Sequence, residues 1–281
     1  MSLFQPLDPE SPREHRRRFR RIPLRVLVPN MVTLIALCSG LTAIRMSIEG
    51  RFEHAVIAIL IAAVLDGVDG RLARLLRSTS RFGAELDSLA DFVSFGVAPA
   101  ILLYVWGFQE FKSLGWIVAL VFAIAGGLRL ARFNAALDQP ARPLWQADFF
   151  TGMPAPAGAV TVLLPIYLDF LGVQRTGFVA GASLVYSLLI AFLMISRVPT
   201  FSGKRTGQRV PREMVLPLFV FLVLFVALLV SFTWATLTGG TLLYLLALPL
   251  GVAHYRRLER QHDTETAGTP PPEPDQSLSL H

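Results

Sequence analysis

Residues 55–74 read Ala55-Val56-Ile57-Ala58-Ile59-Leu60-Ile61-Ala62-Ala63-Val64-Leu65-Asp66-Gly67-Val68-Asp69-Gly70-Arg71-Leu72-Ala73-Arg74, an apolar run that turns acidic and basic without a break. Asp66, Asp69, Gly70, Ala73 and Arg74 recur at i, i+3, i+4, i+7 and i+8, which places them on one face of a helix. Gly83, Asp87 and Asp91 follow at i, i+4 and i+8, again a single helical stripe. The short stretch Leu75 to Phe82 joins the two helices as antiparallel neighbours, so two pairs of carboxylates can face one another.

What surrounds this stretch is a membrane protein. The 281 residues are 53% hydrophobic and only 16% charged, with a mean hydropathy of +0.53; a soluble domain carries about a quarter charged residues. Apolar blocks approach the roughly 20 residues that a spanning helix needs. They predict an all-α, polytopic bundle of about eight transmembrane helices, near 27–48, 54–76, 86–106, 115–134, 155–171, 177–196, 213–233 and 236–253. The fifth is short and rich in proline (Pro154, Pro156, Pro165), and the last two are divided only near Thr238-Gly239-Gly240. The lone Cys38, inside the first block, makes neither an intrachain disulfide nor a zinc pattern.

The basic residues orient the bundle. All but four of the 26 Lys+Arg fall on alternate ends of the spans, the exceptions being Arg45, Arg51, Lys112 and Arg175. The richest cluster, around Arg16-Arg17-Arg18-Phe19-Arg20-Arg21, precedes an apolar run too long for a signal peptide. The positive-inside tendency then puts both termini in the cytoplasm, as an even number of spans requires. It also explains the net charge of +6 without nucleic acid as a partner.

Asp66 lies roughly 18 Å along its helix from the outer end, in the cytoplasmic half of the bilayer, and Asp87 and Asp91 return to similar depth. An ionised side chain there costs about 2.5–3.5 kcal/mol on insertion scales, and four repel one another. Lysine and histidine are nearly absent from the other spans, so bound cations are the compensation left. An all-oxygen ligand set without His or Cys favours hard ions, Mg²⁺ or Mn²⁺. Two such ions suit phosphoryl displacement. Gly67, Gly70, Ala73 and Gly83 clear bulk from the carboxylate face, for a nucleotide to approach or for close helix packing.

The spacing Asp66-x2-Asp69-Gly70-x2-Ala73-Arg74-x8-Gly83-x3-Asp87-x3-Asp91 resembles in full the signature of the CDP-alcohol phosphotransferase family. The resemblance implies a helical membrane enzyme, usually a homodimer, that binds a CDP-linked lipid and two divalent cations. It implies that Asp66, Asp69 and Asp87 hold one metal and Asp66, Asp87 and Asp91 the other, with Asp91 as the general base. Pro29-Asn30-Met31-Val32-Thr33 matches a nucleotide-binding segment of the family, and Gly70, Ala73, Arg74, Ser80 and Gly83 stand where the family meets the cytidine diphosphate. The implied organisation is a basic cytoplasmic segment (1–26), a catalytic membrane domain (27–205), a C-terminal transmembrane hairpin (206–255) and a disordered cytoplasmic tail (256–281).

Three further stretches resemble the serine-accepting, membrane-embedded bacterial branch of that family: residues 87–99, Arg129-Leu130-Ala131-Arg132-Phe133-Asn134, and Phe150-Thr151-Gly152-Met153-Pro154-Ala155-Pro156. They imply CDP-diacylglycerol and L-serine as substrates and an active site on the cytoplasmic side of the bacterial inner membrane. Arg129 and Arg132 lie one helical turn apart and fit a carboxylate bidentately, and Asn134 adds a neutral donor; orientation and headgroup contact is the competing role for the arginines. Arg197, Lys204 and Arg205 read as headgroup anchors. Other acceptors (glycerol 3-phosphate, choline, inositol phosphate) share the chemistry. A cation transporter would carry polar residues through the full membrane depth, whereas the outer halves here are almost wholly apolar.

Overall fold

The structure, a computed structural model, describes residues 24–76, 80–137, 149–196, 199–201 and 212–267. The arginine cluster before Leu24, Arg77, Arg142, Arg197, Lys204, Arg205, Arg209 and the chain beyond Ala267 lie outside the described residues.

The described chain is helical apart from one pair of three-residue strands. Helix α1 (Leu24–Ile48) and α2 (Phe52–Leu75) form a hairpin; α3 (Arg81–Asp91) runs through a π-helical segment (Phe92–Val97) into α4 (Ala98–Trp106). Then come α5 (Ser113–Leu137), the short α6 (Ala155–Val162) and α7 (Leu164–Phe170), α8 (Gly177–Ile195), α9 (Arg212–Ser231) and α10 (Thr233–Ala267). Strand β1 (Phe149–Thr151), after α5, pairs antiparallel with β2 (Pro199–Phe201), after α8. Gly152 leaves β1 at φ +80°, where a Cβ would sit 2.8 Å from the Ser196 carbonyl oxygen.

Among the described residues, six helices are long and apolar enough to cross a membrane: Leu27–Ile48, Arg81–Trp106, Ser113–Ala136, Gly177–Ile195, Glu213–Ser231 and Thr233–Val252. The other two expected spans fall on α2, whose second half is charged, and on the shorter apolar stretch Ala155–Phe170. The last two helices part at Phe232 rather than at Thr238-Gly239-Gly240, which lies inside α10. Hydrocarbon offers no partner to an interrupted backbone, and a Cβ at either glycine would meet nothing within 4 Å; neither space nor strain calls for a break there. Helix α10 also carries helical backbone to Ala267, into the segment expected to be disordered. From Glu213 to Leu228, α9 is exposed on every side, as befits a helix surrounded by lipid, and Cys38 likewise faces outward.

Small residues draw the helices around the site together. Ala55, Ala58 and Ala62 of α2 are buried, and the Ser39 hydroxyl donates to the Ala58 carbonyl (2.9 Å). A Cβ on Gly40 would lie 2.3 Å from Ser94 Oγ and 2.9 Å from Ser94 Cα; one on Gly126 of α5 would lie 3.3 Å from Gly96 Cα. Both contacts land on the π-helical segment, and such segments insert a residue that re-aims what precedes them. At the far end of the bundle, Asp169 accepts from Trp106 Nε1 (2.8 Å) and pairs with Arg175 (3.0 Å).

Overpacking a site of this kind costs about 1–3 kcal/mol. Gly40→Val therefore lowers the thermal midpoint in detergent by several degrees, whereas Gly239→Ala leaves it nearly unchanged or slightly raised. Equal losses in the two variants would contradict the close approach of α1 to the π segment.

Candidate functional site

The two acidic stripes meet. One oxygen each of Asp66, Asp69 and Asp87 lies within 4.8 Å of the others. Asp91 stands beside Asp66, their carboxyl groups within hydrogen-bonding reach. Asp66 is about 4.5 Å further from the C-terminal end of α2 than Asp69, and Asp91 about 6 Å further from the start of α3 than Asp87. The cluster thus has a shallow pair, Asp69 and Asp87, and a deep pair, Asp66 and Asp91. Asp69 is buried and the other three half-buried.

Local structure holds each carboxylate in place. The Thr33 hydroxyl, from α1, donates to Asp69 Oδ2 at 2.8 Å, with the Pro29 carbonyl 3.1 Å away. Ser80 caps α3, its Oγ accepting from Gly83 N–H at 3.0 Å, which fixes the start of the helix bearing Asp87 and Asp91. Asn134 Nδ2 donates to Ser88 Oγ (2.9 Å) and ties α5 to α3. The near-contact of Gly126 with Gly96 brings α5 against the segment that follows Asp91. Arg129, one turn further along α5, consequently lies within electrostatic range of Asp91 and Asp66.

Beside the shallow pair opens a cavity of about 180 Å³. Pro29 and Asn30 of α1, Asp69, Gly70 and Ala73 of α2, and Ser80, Gly83, Ala84 and Asp87 at the start of α3 form its wall. A Cβ on Gly83 would lie 2.9 Å from Asn30 Oδ1 and 3.1 Å from Ser80 Oγ, so glycine is what lets α3 approach α1 there. Three carboxylates with oxygen donors only, close enough to share one ion, fit a hard divalent cation.

Of the residues expected to meet a CDP-linked lipid, Asn30, Gly70, Ala73, Ser80 and Gly83 line this cavity. Thr33 instead stands behind Asp69 as its hydrogen-bond donor, and Arg74 is exposed in the last turn of α2. The three residues expected to meet the acceptor separate. Arg129 lies within electrostatic range of the deep carboxylates, with its guanidinium 5.8 Å from the Phe133 ring centroid. Arg132 is exposed and donates to the Ile195 carbonyl at the end of α8; the free carbonyls of a helix terminus attract such a donor. Asn134 is engaged by Ser88. Sequence reasoning missed Tyr244 of α10, which lies within electrostatic range of Arg129; no spacing rule links positions so far apart.

Comparison with known proteins agrees with this geometry. A family model described as CDP-alcohol phosphatidyltransferase matches residues 26–192, and a second, CDP-alcohol phosphatidyltransferase 2, matches residues 213–249. The second match brings in the C-terminal hairpin, to which the motif resemblance did not extend. The chain is similar to a CDP-diacylglycerol–serine O-phosphatidyltransferase of Mycobacterium leprae, 36% identical over 271 residues, covering 90% of this chain and 87% of that one. It is 47% identical over 153 residues to one of Mycobacterium tuberculosis, a match that spans about half of each chain (54% and 53%). It is 34% identical over 208 residues to one of Helicobacter pylori, covering 72% and 81%.

Proposed function

Because the chain belongs to the CDP-alcohol phosphatidyltransferase family, we propose that it transfers the phosphatidyl group of CDP-diacylglycerol to the hydroxyl of L-serine, giving phosphatidylserine and CMP in phospholipid biosynthesis. The convergence of Asp66, Asp69 and Asp87 within 4.8 Å carries this reading. The names of the bacterial relatives support serine as the acceptor.

Asp66, Asp69, Asp87 and Asp91 would hold two divalent cations, Mg²⁺ or Mn²⁺. When bound, such ions draw charge from the phosphoryl oxygens and ease departure of the leaving phosphate. The rest falls to the chain's own residues. Gly70, Ala73 and Gly83 leave room along the cavity wall for the cytidine diphosphate, Asn30 and Ser80 offer it polar atoms, and Arg74 adds positive charge at the helix end. Asp91 takes the proton of the serine hydroxyl as its oxygen attacks the phosphorus joined to diacylglycerol. The bond from that phosphorus to the CMP oxygen breaks, and CMP leaves with the electron pair. Arg129 faces the serine carboxylate, while Asn134 holds α5 and α3 in register.

In the membrane, eight passes follow if α2 and the broken α6–α7 stretch cross with the six long apolar helices. The distribution of basic residues supports both termini and the carboxylate cluster on the cytoplasmic side of a bacterial inner membrane.

Purified protein in mixed micelles, given CDP-diacylglycerol and each labelled acceptor in turn, tests the assignment. Serine releases CMP with a kcat/KM about a hundredfold above glycerol 3-phosphate, choline or inositol phosphate, since a site built to bind a polar group rejects analogues lacking it. Faster turnover with any of those three would displace serine.

A further inference from the structure

Helix α10 presents Thr238, Thr241 and Tyr244 three residues apart, on the face that also carries the buried Leu237. All three hydroxyl oxygens are buried without a hydrogen-bond partner among the described residues. Threonine in a helix ordinarily donates to the carbonyl one turn back, as Thr42 does to Cys38; Thr238 and Thr241 do not. Trp234 sets the rotation of α10, packing against Tyr167 and Phe170 with ring centroids 6.4 and 4.4 Å away. Arg129 is also incomplete, its Nε buried and unpartnered. Buried polar groups left so are rare, because each forfeits its hydration without return. Here two of them, the Tyr244 hydroxyl and the Arg129 guanidinium, lie within electrostatic range of each other, and Arg129 within that of Asp91.

We propose that Tyr244 and Arg129 together form the subsite for the carboxylate of the acceptor, so that α10 supplies the wall that distinguishes an amino acid from a simple alcohol. The inference rests on the reading of serine as acceptor. Guanidinium and phenol are both donors, and together they match the several lone pairs of one carboxylate. Serine is short, so a carboxylate held at Arg129 leaves its hydroxyl beside Asp91. A lipid phosphate presents the same anionic oxygens, and the experiment separates the two sources.

Tyr244→Phe in the full chain removes one oxygen and no ring. Initial rates of CMP release are measured against serine, against CDP-diacylglycerol, and with serinol, an acceptor lacking the carboxylate. The KM for serine rises roughly tenfold, the loss expected for one hydrogen bond to a charged group. The kcat, the KM for CDP-diacylglycerol and the rate with serinol stay within about twofold, so the preference for serine over serinol narrows roughly tenfold. A rise confined to the KM for CDP-diacylglycerol would assign the pair to the lipid phosphate and overturn the proposal. An unchanged KM for serine would overturn it too, as would equal losses with both acceptors alongside a lowered thermal midpoint. If the wild type releases no CMP with serine, the acceptor reading falls and this inference with it; if it uses serine and Tyr244→Phe behaves normally, only the inference falls.

Discussion

Asp91→Asn reduces turnover by about a thousandfold, within the range that general-base catalysis contributes, while CDP-diacylglycerol still binds. Asparagine keeps the shape of the side chain but cannot take up the hydroxyl proton. Asp66, Asp69 and Asp87 retain their mutual approach within 4.8 Å, and the cavity wall lacks Asp91 altogether, so the substitution leaves that wall intact. Rates of CMP release and retention of labelled CDP-diacylglycerol on the purified variant give the two readouts. A near-normal rate would remove Asp91 from the role of base, and loss of lipid-nucleotide binding in step with turnover would make its contribution one of assembly.

Stripping divalent cations has an effect of similar size. Chelation suppresses activity on the order of a thousandfold or more, because phosphoryl displacement relies on cations to neutralise the oxygens it loads with charge. Mg²⁺ or Mn²⁺ restores it, as the oxygen-only donor set requires. A second measurement reads the protein rather than the reaction. Without cations the clustered carboxylates repel one another in a partly buried setting, so the thermal midpoint falls on chelation and recovers with Mg²⁺. Asp87→Asn narrows that difference, since one charge fewer needs compensation. An enzyme fully active in chelator, or a midpoint indifferent to Mg²⁺, would end the assignment of these aspartates as cation ligands.

Much of the site could be read from spacing because both acidic stripes are local. Two aspartates at i, i+3 and two at i, i+4 specify a face wherever the helix forms, and the few residues that separate α2 from α3 in the sequence leave the two stripes little freedom to part. The small-residue wall of the cavity was legible for the same reason, since Gly70, Ala73 and Gly83 belong to those stripes. Contacts between distant segments were not. Thr33, expected at the nucleotide, donates to Asp69 across 36 positions, a contact that no spacing announces. Arg132 shares a helix turn with Arg129 yet binds the end of α8, because which side of α5 meets the cluster depends on the packing of Gly126 against Gly96. Tyr244 enters the neighbourhood only once α10 has docked through Trp234. The break at Phe232 was equally hidden, since a glycine pair that would punctuate a soluble helix is tolerated in lipid.

The π-helical segment after Asp91 divides one rod into two independently clocked halves. An added residue rotates everything beyond it by roughly 100° relative to an uninterrupted helix. Upstream, the rod aims acid groups at α2; downstream, Ala98, Leu102 and Leu103 are buried as scaffold. Drift in the scaffold half, through changes of side-chain size among neighbouring helices, can be absorbed at this joint without turning the reactive half out of alignment. Chemistry and architecture are thereby placed under separate selection along a single membrane crossing.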